Sequence, residues 1–380
     1  MGSGSLMRSI KTLYDIIVFY GSLWWRAGIA AAAALAALLP VPPGLVEDWY
    51  STGAYPAIQR SLTAASNLLP FALLDVAIIG VPAWLVWRSV DDRRVGPRTW
   101  RVVAGLALLR AATTAAVAYL LFLAVWGLNY RRVPLDGRVP FDHEAVSQAG
   151  ARALARRAVS EVNTLYTSAH AKGWGEAHEI DRSLERGFSR AARALGADTV
   201  PRVGRPKTTV LDLYFRRAGV AGMTDPWFLE TLVASDLLPF ERPAVIAHEW
   251  SHLAGLNDEG EASFLGWLAT LGGGEPASYS GWLFMYGQVA ASLGPRDREQ
   301  AAALLQDGPK RDLAAIADRV RRQVSPAVSE AGWRVYDRYL KANQVEAGTA
   351  SYAEVVRLAL GARVDPVGPV DPGRPVGAEK

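Results

Sequence analysis

Two histidines and a glutamate within five residues carry the most chemistry in this chain. The stretch Ala247-His248-Glu249-Trp250-Ser251-His252-Leu253-Ala254-Gly255 contains the pattern HExxH, and its histidines are two of five in 380 residues. On a helix, side chains four apart share one face about a turn apart, so both imidazoles can reach one ion. Glu249 then stands where a general base is needed, beside a water polarised by that ion. The chemistry such a group supports is metal-assisted hydrolysis, with Zn2+ as the expected cofactor. A catalytic zinc site needs a third protein ligand and one open position.

Three carboxylates compete for that third place: Asp258, Glu259 and Glu261. On a helix beginning after Asp258, Glu259 shares a face with Ala262, Ser263 and Gly266, small residues that allow close approach to the HExxH helix. Glu261 shares a face with Phe264, Leu265 and Leu268, about 200° around the helix. Glu259 is the preferred ligand, with Glu261 the alternative and Asp258 third. Tyr279 and Tyr286, soon after that helix, are the candidate oxyanion donors.

The elements that must position these residues are readable nearby. Pro243 suits the first turn of the HExxH helix and Gly255 its stop. Asp258 can cap a second helix running through Leu271, closed by Gly272-Gly273-Gly274. Between Pro206 and Pro239, Thr208-Thr209-Val210-Leu211 and Thr231-Leu232-Val233 are rich in β-branched residues, and Gly219, Gly222 and Asp225-Pro226 supply turns. This texture predicts a small antiparallel sheet, whose edge could hold an extended peptide. Apolar residues on a helical period predict a long helix over 142–172 and another over 176–195. Further helices are expected over about 281–293, 296–305 and 312–324.

Composition separates the first third from the rest. Half the residues are apolar, and three nearly uncharged apolar runs occupy 24–42, 68–87 and 102–128. Each approaches or exceeds the ~20 residues that cross a bilayer, so 24–130 reads as a three-helix transmembrane region. Arg88, Arg93, Arg94, Arg98 and Arg101 between the second and third runs mark a cytoplasmic loop, as do Arg8 and Lys11 at the start. Residues 131–363 then form an extracytoplasmic zinc-binding domain, followed by a flexible tail over 364–380. Met1-Gly2-Ser3-Gly4-Ser5, opening the segment 1–23, reads as a cloning remnant, with Met7 the native start. The net charge of +4 is scattered and no basic groove is evident, which argues against a nucleic-acid partner. There is no cysteine, hence no disulfide, thiolate ligand or cysteine nucleophile. Asp75 inside the second run is expected to serve a structural hydrogen-bond network, and Arg110 inside the third to extend toward the cytoplasmic face.

With these residues in view, the chain resembles the bacterial membrane proteins grouped as domain of unknown function 3810, regarded as HExxH metallopeptidase-like. The resemblance rests on Val46-Glu47-Asp48-Trp49-Tyr50-Ser51, Leu69-Pro70-Phe71, Trp126-Gly127-Leu128-Asn129-Tyr130 and Gly222-Met223-Thr224-Asp225-Pro226. It continues through the HExxH segment, Glu259-Gly260-Glu261-Ala262-Ser263-Phe264, Tyr279-Ser280-Gly281, Tyr339-Leu340-Lys341 and Ser351-Tyr352. That family typically has Asn before the Phe, where this chain has Ser263. The Glu259 segment is also similar to the ExxxD element of the gluzincins and to the membrane-bound CAAX prenyl proteases, which favours Glu259. The resemblance implies a mainly α protein with an α+β zincin-like domain after the membrane helices. It also implies a zinc metallopeptidase of the bacterial cytoplasmic membrane, acting on a peptide or protein substrate beside the lipid bilayer. The alternative is a non-catalytic, zinc-stabilised membrane sensor or scaffold, which would have no use for a base at Glu249.

Overall fold

The computed structural model describes residues 24–94, 99–343 and 354–364. The segment 1–23 with Arg8 and Lys11, Arg98, Ser351-Tyr352 and the tail from 365 onward lie outside the described residues. Helices dominate, and they divide into two compact units.

The first unit takes in residues 24–41 and 76–124. It holds α1 (Trp24–Leu38). The chain then enters α2 (Pro43–Asn67), which belongs to the other unit, and returns through α3 (Leu73–Arg94) and α4 (Trp100–Val125). Both α3 and α4 are long and apolar enough to cross a membrane. Among the described residues, a third such span exists only if α1 and α2 are counted together as one broken span. The helix expected over 24–42 stops at Leu38 because Pro40, Pro42 and Pro43 interrupt the backbone donors. Arg110 is paired with Asp92, in the last turn of α3 beside Arg93 and Arg94. Its guanidinium makes two bonds to Asp92, with Nη2 at 3.2 Å from Oδ1, which is how a charge persists in an apolar helix.

The second unit takes in residues 42–75 together with the chain from Val125 on. Residues 42–75 comprise the loop expected between the first two apolar runs and the start of the second run, and they fold with this unit. The reason is a stripe of polar groups at helical spacing on α2: Ser51, Tyr55, Gln59, Thr63 and Ser66 are all buried. In lipid such a stripe would be costly, so it needs partners within protein. Ser51 Oγ donates to Asn129 Oδ1 (2.8 Å), Tyr55 Oη to Leu253 O (3.0 Å) and Thr63 Oγ1 to Leu229 O (3.0 Å). Residues Val46–Ala54 are wound as a π-helix, and Thr52 Oγ1 donates to Glu47 O five residues back.

After two 3-10 turns (Gly127–Arg131 and Leu135–Gly137) come α5 (Gln148–Lys172) and α6 (Arg182–Ala194). The long helix begins six residues later than expected because Ser147 caps it, its hydroxyl accepting from Gly150 N. Likewise Asp181 caps α6, leaving 176–181 outside the helix. Then follow β1 (Pro206–Lys207), α7 (Asp212–Ala218), β2 (Gly222–Asp225) and β3 (Glu230–Val233). The sheet has the order β1-β3-β2, with β2 antiparallel to β3 but β1 parallel to it. It is therefore mixed, not antiparallel: β2 runs opposite to β1, and β3 reverses once more to lie between them, parallel to β1. Thr208-Thr209-Val210-Leu211 is no strand. Thr209 Oγ1 and Val210 N bond the Asp75 carboxylate (2.5 and 3.1 Å) instead of a neighbouring strand, which gives Asp75 the structural role expected of it.

The rest is helical: α8 (Arg242–Leu253), α9 (Glu259–Leu271), α10 (Glu275–Ser292), α11 (Pro295–Ala303), α12 (Asp307–Gln323), α13 (Pro326–Ala342) and α14 (Glu354–Gly361). The core lies where α8, α9 and α10 meet, around the fully buried Trp250, Phe264, Leu265 and Tyr279. One ion pair is buried beneath the sheet. Lys207 Nζ lies 2.7 Å from Glu230 Oε1 and 2.8 Å from Ser66 O, while Leu74 N donates to Glu230 Oε2 at 3.0 Å. Loss of one partner would strand the other charge, at a cost of about 3–5 kcal/mol.

Candidate metal centre

The sequence makes α8 and α9 a tight pair, and their contact builds the site. Gly266 faces the backbone of α8: a Cβ there would stand 2.8 Å from His248 N and 3.0 Å from its Cα. Between the helices the chain turns at Gly255, whose φ of +77° favours glycine. Asp258 then caps α9, accepting from Gly260 N (2.9 Å) and Glu261 N (3.1 Å). This fixes the first turn of α9 and turns Glu259 toward the histidines.

His248, His252 and Glu259 each offer one ligand atom, and those atoms lie within 4.8 Å of one another. Glu259 Oε2 is 3.2 Å from His248 Nε2 and 3.5 Å from His252 Nε2. Donor atoms around a tetrahedral zinc stand about 3.3 Å apart, by the usual bond lengths. The same carboxylate oxygen is buried without a hydrogen-bond partner. Orphaned buried oxygens of this kind are rare and call for an explanation, and a cation is one. Both imidazoles are oriented from behind. His252 Nδ1 donates to Leu256 O at 2.7 Å, which fixes the tautomer that leaves Nε2 free. Ser263 Oγ lies 3.2 Å from His248 Nδ1.

Glu249 is buried beside this group on the β2 side. The Thr224 hydroxyl lies 2.8 Å from Glu249 O and 3.0 Å from its Oε2. A Cβ at Gly222 would stand 2.6 Å from Glu249 Oε1, so the strand leaves the carboxylate room only because that residue is glycine. Burial raises the Glu249 carboxyl above its ordinary range, against the lowering influence of the two histidines. For Glu259 burial acts in the same direction, but His252 and His248 outweigh it and hold the carboxyl well below its usual value.

The other expected residues are placed elsewhere. Glu261 accepts from Leu135 N (2.6 Å) and Arg138 Nη2 (3.3 Å), so it anchors the segment that follows α4 and does not meet the histidines. Burial pushes its carboxyl up to about 7 despite Arg138. Tyr279 donates to Asp312 Oδ2 (2.5 Å), which also lies 2.8 Å from His170 Nε2, so its hydroxyl is committed away from the site. Tyr286 is buried on α10, and among the described residues no hydrogen bond joins it to the three converging residues.

Instead, Tyr336 on α13 donates to Glu259 Oε1. Its ring stacks on Tyr339, which meets Tyr130, and Tyr130 meets Trp126. Trp126 lies edge-on to His252 and donates from Nε1 to His252 O (3.1 Å). Behind this aromatic chain Arg132 ties the Glu47 carboxylate to Gly255 O, with bonds of 2.7, 2.9 and 2.9 Å. The segments around Glu47 and Trp126 thus hold the turn between α8 and α9.

No curated protein and no solved structure matches the chain. Residues 50–360 match the family described as Protein of unknown function (DUF3810), a stretch that contains every residue of the site. The chain therefore belongs to the DUF3810 family.

Proposed function

We propose that this chain is a membrane-anchored zinc metallopeptidase. The observation that carries the reading is the convergence of His248 Nε2, His252 Nε2 and the orphaned Glu259 Oε2, with Glu249 beside them. These three residues would hold the ion. Zinc, when bound, supplies a Lewis acid that acidifies water and polarises a carbonyl. Glu249 takes and holds the proton removed from water, and its raised affinity for a proton suits that task at neutral pH. Thr224 keeps the Glu249 carboxylate in place, while Tyr336 holds the far oxygen of Glu259. The edge strand β2, running past Glu249, offers main-chain groups to an extended peptide.

The anchor is provided by α3 and α4, with α1 and α2 as a further candidate span. Arginines at the α3–α4 end favour a cytoplasmic position for that end, and with it a zinc domain on the other side of a bacterial cytoplasmic membrane.

The reading is tested by offering an unfolded-protein or peptide library to the full chain and to Glu249→Gln, both loaded with zinc. Cleavage by the parent with loss of at least about 100-fold in the variant is expected. Equal cleavage by both, or none by either, would overturn the peptidase reading.

A further inference from the structure

The site-bearing unit carries an exposed apolar patch beside the start of α3. Residues 66–75 and 203–210 are laced together. Asn67 binds Val203 O and Arg205 N, Ser66 binds Lys207, and Asp75 binds Thr209 and Val210. On these two segments and on α7, which follows, Leu68, Phe71, Val210, Leu213 and Tyr214 are exposed, Leu68 by 82% and Leu213 by 60%. The other face of α7 is satisfied, since Phe215 and Ala218 are buried. Arg217, four residues after Leu213 and so on the same face, is also exposed. Aliphatic and aromatic side chains with a cation at their border are what a helix lying in a membrane interface presents.

The occupant is indicated by continuity. Val210 N bonds a residue in the first turn of α3, and from there α3 continues as an apolar helix of membrane-spanning length. The patch therefore lies at the level where the chain enters the hydrocarbon layer, given that α3 spans a membrane. We infer that Leu68, Phe71, Val210, Leu213 and Tyr214 seat the metal-bearing unit in the lipid interface, with Arg217 at the head groups. The metal site is then held beside the bilayer surface by its own unit, and not only tethered to it by helices. A substrate would be met at the membrane surface.

The chain contains no cysteine, so a single introduced thiol takes a spin label uniquely. Leu213→Cys and Leu68→Cys, with Leu108→Cys on α4 and Lys310→Cys on α12 as references, are labelled in the full chain. They are then reconstituted in bilayers containing anionic lipid. Power saturation with oxygen and a water-soluble nickel chelate reads the environment of each label. Labels at 213 and 68 are expected to favour oxygen, like 108 and unlike 310. If 108 favours oxygen while 213 and 68 match 310, the patch is in water and the inference fails although the membrane reading stands. If 108 also matches 310, the membrane reading itself fails and the inference with it. Labels at 213 and 68 shielded from both reagents would show a protein covering the patch, which likewise overturns the inference.

Discussion

Gly222 and Glu249 are in contact in a way that only glycine permits: a Cβ at Gly222 would stand 2.6 Å from Glu249 Oε1 and 3.0 Å from its Cδ. The atom it would meet is the far end of a side chain, so the strand need not move and the carboxylate would. Gly222→Ala is therefore expected to displace the base without disturbing the histidines. Turnover should fall about 100-fold, the range general-base catalysis spans at its lower end, while zinc content stays at the parent level. Kinetics alongside metal analysis of the same preparation check this; joint loss of both would refute it.

Tyr336 supports the buried Glu259 carboxylate from a helix far along the chain. Tyr336→Phe leaves the ring stack and removes only the hydroxyl. Outer-shell partners of metal ligands typically contribute 10–100-fold in affinity, and a loss of about that size is expected here. Titration against a chromophoric chelator measures it, and an unchanged affinity would remove Tyr336 from the account.

Protons and zinc compete at His252. Burial alone would lower this imidazole, but the Glu259 carboxylate 3.5 Å away outweighs it and raises the group to about 9. In the metal-free protein a His raised in this way contributes stability that is fully present below its unfolded value of about 6.5. That stability is lost as pH rises through about 9. Zinc bound there would have to displace the proton. Apparent affinity should rise by about tenfold per pH unit between about pH 7 and 8.5, with close to one proton released per ion bound. Calorimetry in buffers of different ionisation enthalpy counts that proton.

Gly266 lets α9 lie against the backbone of His248. Here the atoms a methyl group would meet are main chain and cannot yield cheaply. Gly266→Ala is expected to cost about 1–3 kcal/mol of stability through overpacking, and to weaken zinc binding by spreading the two helices. A lower melting temperature with weaker zinc retention is the expected pair of results.

What could be read from the sequence was what local spacing dictates. HExxH at i and i+4, the Asp258 cap and the small face of Ala262, Ser263 and Gly266 all depend on neighbours within one or two turns, and the structure brings Glu259 to the histidines accordingly. Tyr336 was not legible, because no period links a residue 77 positions away to Glu259. A trace of it lay three residues on, in the Tyr339-Leu340-Lys341 segment. Tyr279 drew notice by its proximity to α9 in sequence, whereas its hydroxyl was already spoken for by Asp312. The sheet was misread for a similar reason: β-branched residues at 208–211 fit a strand, but Asp75 takes their hydrogen bonds. The polar stripe on α2 was open to the same period-four counting, and it accounts for 42–75 folding with the second unit.

The central claim is that His248, His252 and Glu259 form a metal centre. Metal analysis of the purified full chain, beside His248→Ala, His252→Ala and Glu249→Gln, tests it most directly. The account predicts about one zinc per chain in the parent and in Glu249→Gln, and little in either histidine variant. A parent that folds and retains no zinc after incubation with it, or histidine variants that hold as much as the parent, would contradict it.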